Sequence, residues 1–234
     1  MSRLFPTPCF AFIAGFVLFG HPAFAKTQMS TDFSSDSAQA KLSAAILNIS
    51  RKWAHIKYQI HDNGTQLHEF RALEHAAAAL AKRFPFNARP LLWQGIVASE
   101  EAARANLFEK LGYAKRARLW LERAHAINPN AAHGGVWLSL GVLYARVPGF
   151  PFGFGSDSKA KADLQRALAL DPDGLDANYF YGDFLFDHGH YAQAMVVLEH
   201  GLKAPRDSQR PIWDGARRRQ IRELLSRIMK QKRR

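Results

Sequence analysis

Residues 137–172 read WLSLGVLYARVPGFPFGFGSDSKAKADLQRALALDP, and the spacing of large and small residues in this stretch decides the fold. Trp137, Leu140, Gly141 and Tyr144 belong to one helical run, and Ala160, Leu164, Ala167 and Pro172 follow as a small–large–small–proline series. The series returns 34 residues later as Ala194, Leu198 and Gly201, closed by Pro205. It also stands 43 residues earlier as Ala117, Leu121, Ala124 and Pro129, a spacing that reads as 34 plus an insertion. Small residues at the first and third positions let two helices approach closely, and the large one fills the gap between hairpins. Proline lacks an N–H and clashes with the preceding turn, so it stops the helix. One amphipathic hairpin cannot bury its apolar face alone, whereas stacked copies build a continuous core.

Trp137, Leu140, Gly141 and Tyr144, followed by Ala160, Leu164, Ala167 and Pro172, resemble the W-x2-L-G-x2-Y and A-x3-L-x2-A pattern of the tetratricopeptide-repeat (TPR) family. The resemblance covers about residues 66–206. It implies an all-α fold, an α-solenoid of helical hairpins over 37–206, with residues 207–234 forming a basic C-terminal capping helix. It also implies that the first helix of each hairpin lines a concave groove that receives a protein or peptide partner, without enzymatic chemistry. The groove positions it assigns are Tyr179, Asp183, Phe186 and Asp187 in the last unit, and Leu138, Val142, Ala145 and Arg146 in the middle one. In the earlier hairpin they are Leu92, Ile96, Ser99 and Glu100. Asp183 and Asp187, four apart, share one helical face beside Tyr179. They make either a solvated face or an acidic, aromatic site for a basic or amine-bearing segment.

Apolar periodicity and turn residues predict helices over about 37–60, 66–83, 89–105, 113–127, 131–146, 158–170, 175–188, 191–203 and 211–230. Residues 106–112, with Leu107, Phe108 and Gly112, read as a linker. The insertion Val147–Ser156 departs most from the repeat, with three glycines, two prolines and three phenylalanines. Glycine and proline forbid continuing the helix there, so it is a loop. Phe150, Phe152 and Phe154, each costing about 1.5–3 kcal/mol if left in water, either fold back onto the hairpin edge or form a lip over the groove. Such a lip would close a pocket for a small ligand. Gly153–Ser156 lacks the GxxxxGK[ST] spacing of a phosphate loop. His188 and His190 flank a turn without a third metal ligand nearby, so neither a metal nor a cofactor is expected.

Arg3, the apolar run Phe10–Gly20 and Ala23-Phe24-Ala25 form the three parts of a secretory signal peptide, residues 1–25, cleaved after Ala25. Eleven apolar residues are too few for a spanning helix, which needs about 20. Cys9, the sole cysteine, has no lipobox before it, so the expected product is a periplasmic protein and not a lipoprotein. Residues 26–36 (KTQMSTDFSSD) are polar and read as a disordered linker. Of the net charge of +12, residues 217–234 carry +8. The rest of the chain has no basic stripe, which argues against nucleic acid as a partner. On the last helix, Ile221, Leu224, Leu225 and Ile228 form an apolar stripe that caps the array. Arg217, Arg218, Arg219, Arg222 and Arg227 surround it, and with Lys232-Arg233-Arg234 they suit contact with anionic lipid head groups.

More loosely, the long N-terminal helices, the hairpin interrupted at Tyr144–Gly149 and the helix from Ser158 to Pro172 look like the periplasmic T-components of tripartite (TRAP) transporters. That resemblance implies a partner in the cell envelope, beside a solute-binding protein.

Overall fold

A computed structural model describes the backbone of residues 24–231 and the side chains from residue 36 onward. The expected signal sequence lies outside the described residues except for its last two positions, and so do Lys232, Arg233 and Arg234. Among the described residues there are nine α-helices and no strand: α1 (Phe24–Gln59), α2 (Asn63–Arg83), α3 (Ala88–Arg104), α4 (Leu107–Ile127), α5 (Ala131–Arg146), α6 (Asp157–Leu170), α7 (Leu175–Asp187), α8 (Tyr191–Gly201) and α9 (Pro211–Gln231). Residues 41–234 form one compact unit, the helical array, and residues 1–40 a separate one. The all-α solenoid expected from the sequence is the fold observed.

Three boundaries differ from expectation, each for a local reason. Helix α1 begins at Phe24 and runs through 26–36, the segment read as disordered. No proline or glycine stands between Pro22 and Gly64 to stop it. Helix α2 begins three residues early because Asp62 caps it, its Oδ2 accepting from Thr65 N at 2.7 Å. The supposed linker 106–112 is the start of α4. Asn106 Oδ1 accepts from Phe108 N and Glu109 N, both at 3.1 Å, and its Nδ2 donates to Glu109 Oε2 at 2.8 Å. This variant of the reciprocal capping box outweighs Gly112, whose missing side chain faces open space.

The array is built of hairpins α3/α4, α5/α6 and α7/α8, preceded by the α1–α2 pair, where Gln66 Nε2 donates back to Ile56 O at 3.1 Å. Along the array α3 contacts α5, α5 contacts α7 and α7 contacts α9. One crossing recurs in each hairpin. A Cβ placed on Gly95 would lie 2.6 Å from Leu121 Cγ, on Gly141 2.9 Å from Leu164 Cγ, and on Gly182 2.6 Å from Leu198 Cγ. Ala117, Ala124, Ala160, Ala167 and Ala194 are buried beside these leucines, as the register requires. The repeat spacing is therefore a spacing of backbone contacts, in which each large residue sits on a glycine of its partner helix.

Helix α5 opens irregularly. Ala132, His133 and Gly134 hold φ of 53°, 52° and 82°, left-handed backbone at three successive positions. For Ala132 and His133 this costs about 1–2 kcal/mol each. Glycine is required at 134 for a second reason too, since a Cβ there would approach Leu170 Cβ to 3.0 Å.

Helix α9 packs through Trp213, Ala216, Ile221, Leu224 and Ile228 against α7 and α8. Two of its arginines are not on the solvent side as expected. Arg218 is buried, with Nε donating to Asp214 Oδ2 at 3.0 Å and its remaining nitrogens to the carbonyls of Leu202, Ala204 and Pro205. Arg217 is buried too, donating to Asp176 Oδ1 at 2.6 Å beneath the rings of Tyr179 and Phe180. The fork geometry of guanidinium suits such pinning. Only Arg219, Arg222, Arg227 and Lys230 are left on the exposed side of α9.

Candidate functional site

The inner faces of α1, α3, α5 and α7, with part of α4 and α9, surround a cavity of about 1460 Å³. Its far sides meet: Arg51 Nε of α1 donates to Gln209 O ahead of α9 at 2.7 Å, and Ile49 and Trp53 share one packed cluster with Leu175 and Trp213. The concave space is thus bounded laterally by the first and last elements of the array. Its walls are largely apolar and aromatic, with Trp93, Ile96, Leu138, Val142 and Phe180 prominent. This is larger than the roughly 300–1,000 Å³ typical of small-molecule pockets.

Of the groove residues expected from the sequence, Leu138, Val142, Arg146, Tyr179 and Glu100 line this cavity, as do Leu92, Ile96 and Ser99. Asp183, Phe186 and Asp187 do not. Arg146 spans from α5 to α7, bonding Asp183 and reaching Asp187 Oδ2 at 3.3 Å. Phe186 instead packs on Tyr191, with ring centroids 5.4 Å apart, beneath Arg227. The two carboxylates of the acidic, aromatic patch therefore share one cation of the chain itself, and Asp187 stays half-exposed. Burial pushes the Asp183 carboxyl above its usual range despite Arg146. Sequence spacing placed the two carboxylates on one face correctly, but nothing local to α7 announces a partner on α5.

Glu100 is the charged centre of the cavity wall. Burial acts to raise its carboxyl, but Lys57 and Arg104 prevail and hold it below the usual range. Arg104 Nη1 donates at 2.7 Å and Trp53 Nε1 at 3.2 Å, so the carboxylate ties α1 to α3. Trp53, Lys57, Leu107, Leu111, Trp213 and Arg217 also line the cavity and were missed as groove residues. The apolar face of α1 signals Trp53. No sequence signal brings α9 there.

Its neighbour Glu101 faces the opposite way, wholly buried between α3 and α4 beside Arg116 and Glu74. Burial first, then Glu74, pushes this carboxyl up to about 7, against the pull of Arg116. A carboxyl raised on folding favours the fold while protonated. Its contribution is full below its unfolded value near 4.5 and is lost as pH rises toward 7. Glu101→Gln is expected to flatten the fall in melting temperature between pH 5 and pH 8, and calorimetry at the two pH values checks it.

The inserted loop is fixed by its backbone. Gly153 N donates to Gly149 O at 3.0 Å, Gly155 N to Pro148 O at 2.9 Å and Ser156 N to Tyr144 O at 3.0 Å. Glycine is obligatory at 155, where a Cβ would lie 1.7 Å from Val147 O. Of the three phenylalanines only Phe154 folds back, edge-on to Tyr144 at 6.2 Å and under Arg118. Phe150 is 94% exposed, and Phe152, at the cavity mouth, is 78% exposed. The loop is a lip beside the opening and does not close it.

Residues 158–218 match the tetratricopeptide repeat family model. This segment is similar to a tetratricopeptide repeat. It spans α6 to α8 and the first turns of α9, so the TPR register read from Ala160, Ala167 and Ala194 falls within the match or continues it. The TPR-like fold extends further. A crystal structure of TTC0263, a thermophilic TPR protein of Thermus thermophilus, is similar at 19% identity and a TM-score of 0.54, over 82% of this chain and 95% of that one. A crystal structure of MamA is similar at 17% identity and a TM-score of 0.41, over 71% of this chain and 90% of that one. No curated protein matches the sequence significantly.

Proposed function

We propose that this chain is a non-enzymatic TPR scaffold that holds a segment of a partner polypeptide in the cavity of its inner helices. The observation that carries this is the cavity itself, about 1460 Å³ of apolar and aromatic wall on the inner helices of a TPR-like array. Its size suits an extended or helical segment of several residues better than a single small molecule. The exposed lip of Phe150 and Phe152 adds apolar contact area at the mouth. Among the described residues there is no cluster of three metal-ligating side chains.

The scaffold works after export, in the periplasm, with its partner in the cell envelope. Arg3, Phe10–Gly20 and Ala23–Ala25 support this. No observation favours a role beside a TRAP transporter, and the open lip speaks against a small-ligand pocket closed by loop 147–156. Affinity purification from the envelope fraction tests both parts. Wild type and the cavity-filling pair Leu138→Trp plus Val142→Trp are compared with the outer-face variant Val196→Trp. Partners should fall about tenfold only in the filled variant, and the purified chain should begin at Lys26. Equal partner yields from all three would remove the cavity from the account. A chain that retains Met1 would remove export.

A further inference from the structure

Glu101 is wholly buried where α2, α3 and α4 meet. Its Oε2 and Glu74 Oε2 of α2 converge on one nitrogen, Arg116 Nη2 of α4, the Glu74 pair at 3.0 Å. The other oxygen, Glu101 Oε1, and Arg116 Nε are buried without a hydrogen-bond partner among the described residues. Arg71 of α2 also acts on Glu101, but its Nη2 donates to the Tyr113 hydroxyl at 2.7 Å. Arg104, one turn along α3, is engaged by Glu100 and Gln66. Ionised together, Glu74 and Glu101 would share one guanidinium nitrogen away from water, which disfavours the second charge. A proton on Glu101 relieves this, and burial with Glu74 lifts that carboxyl to about 7.

This cluster fastens the start of α4. From Leu107 to Tyr113 no residue is buried, and Ala114 is the first that is. Leu107 and Phe108 are 81% and 95% exposed, and Gly112 weakens the helix between them and the core. The bonds from these turns to the neighbouring helices are polar: Tyr113 to Arg71, and Arg116 to Glu74 and Glu101. The surroundings are anchored differently. Buried Phe70, Leu73 and Ala77 hold α2, the bonds of Glu100 tie α3 to α1, and Leu121 on Gly95 locks the later turns of α4. Segments with few buried apolar contacts open before the whole fold does. These same turns carry Leu107, Lys110 and Leu111 on the cavity wall, which Phe152 also lines.

We propose that residues 107–116 of α4 are a gate at the cavity mouth, held shut by the buried cluster of Glu74, Glu101 and Arg116 while Glu101 carries a proton. Loss of that proton favours the opened arrangement, in which Glu101 reaches water. The folded carboxyl titrates above its ordinary value, so opening grows as pH rises from near 4.5 toward 7 and levels off beyond. On the reading of the cavity as the partner's seat, the gate sets how fast a segment enters and leaves. The gate itself needs no partner.

Hydrogen exchange of the full chain, read by mass spectrometry and corrected for the intrinsic rate at each pH, tests the gate directly. Protection of peptides covering 105–116 should fall by about tenfold or more from pH 5 to pH 8. Protection in α8 and in residues 117–127 should change several-fold less. Glu101→Gln keeps the neutral shape of the side chain, so its protection at 105–116 should be equal at the two pH values. Glu74→Gln removes the neighbouring charge and should shrink the fall without abolishing it. Gly112→Ala should raise protection at both pH values and leave their ratio unchanged. A wild-type segment whose protection ignores pH would overturn the proposal. A fall of equal size throughout α5 to α9 would do so too, since that is loosening of the whole array. A Glu101→Gln protein that keeps the wild-type fall would assign the effect to another group and refute the gate as well. The exchange assay contains no partner, so failure of the cavity reading leaves these outcomes untouched.

Discussion

Gly141→Val is expected to lower the melting temperature by about 6–12 °C, from a loss of about 3 kcal/mol at roughly 2–4 °C per kcal/mol for a chain of this size. A Cβ at 141 would sit 2.9 Å from Leu164 Cγ, 3.0 Å from Leu164 N and 3.2 Å from Ala160 O. The leucine side chain can turn aside, but the two backbone atoms can yield only if α5 and α6 separate. Valine adds two further carbons at the same point. Gly112→Ala is the contrast, because its Cβ would meet nothing within 4 Å and α4 is already capped. There the gain in helix propensity, about 0.5–1 kcal/mol, should appear as stabilisation. Thermal melts of the two variants check both signs, and a Gly141→Val protein that melts with wild type would show that the crossing is loose.

The second large effect is expected at the cap. Asp214→Ala removes the one carboxylate bonded to Arg218 among the described residues, leaving a buried guanidinium with carbonyl partners. Uncovering one partner of a buried ion pair costs about 3–5 kcal/mol. The loss should appear in urea denaturation as a lower midpoint. Asp214→Ala combined with Arg218→Met should recover part of it, because removing both charges is far less costly than removing one. If the single variant were silent, the pair would not be what anchors α9. If the double variant were as unstable as the single one, the carbonyl bonds of Arg218 would carry the stability instead.

Much of this fold is legible in the sequence because the repeat is a packing rule. Ala160, Leu164 and Ala167 recur as Ala194, Leu198 and Gly201 since each leucine must find a glycine across the hairpin, here Gly141 and Gly182. Caps were less legible. Asn106 and Glu109 signal the start of α4, but Gly112 three residues on reads as a breaker unless the cap is weighed first. The candidate site divides along the same line. Positions on a single helix, such as Leu138, Val142 and Tyr179, were placed by helical spacing together with the TPR resemblance. Contacts between distant helices were not. Arg146 reaches Asp183 and Asp187, Arg217 reaches Asp176, and Arg51 reaches Gln209 across 158 positions. Charge alone made Asp183 and Asp187 look available and Arg217 look solvated. Only the stacking of α5, α7 and α9 reveals the ion pairs that these groups make.

The central claim is that the partner sits against the inner helices. Site-specific photo-cross-linking in the host cell tests it most directly, with benzoylphenylalanine placed at Leu138 or Val142 on the inner face and at Val196 on the outer. The account predicts discrete, partner-sized adducts from positions 138 and 142 and none from 196. Adducts from the outer position alone would contradict it.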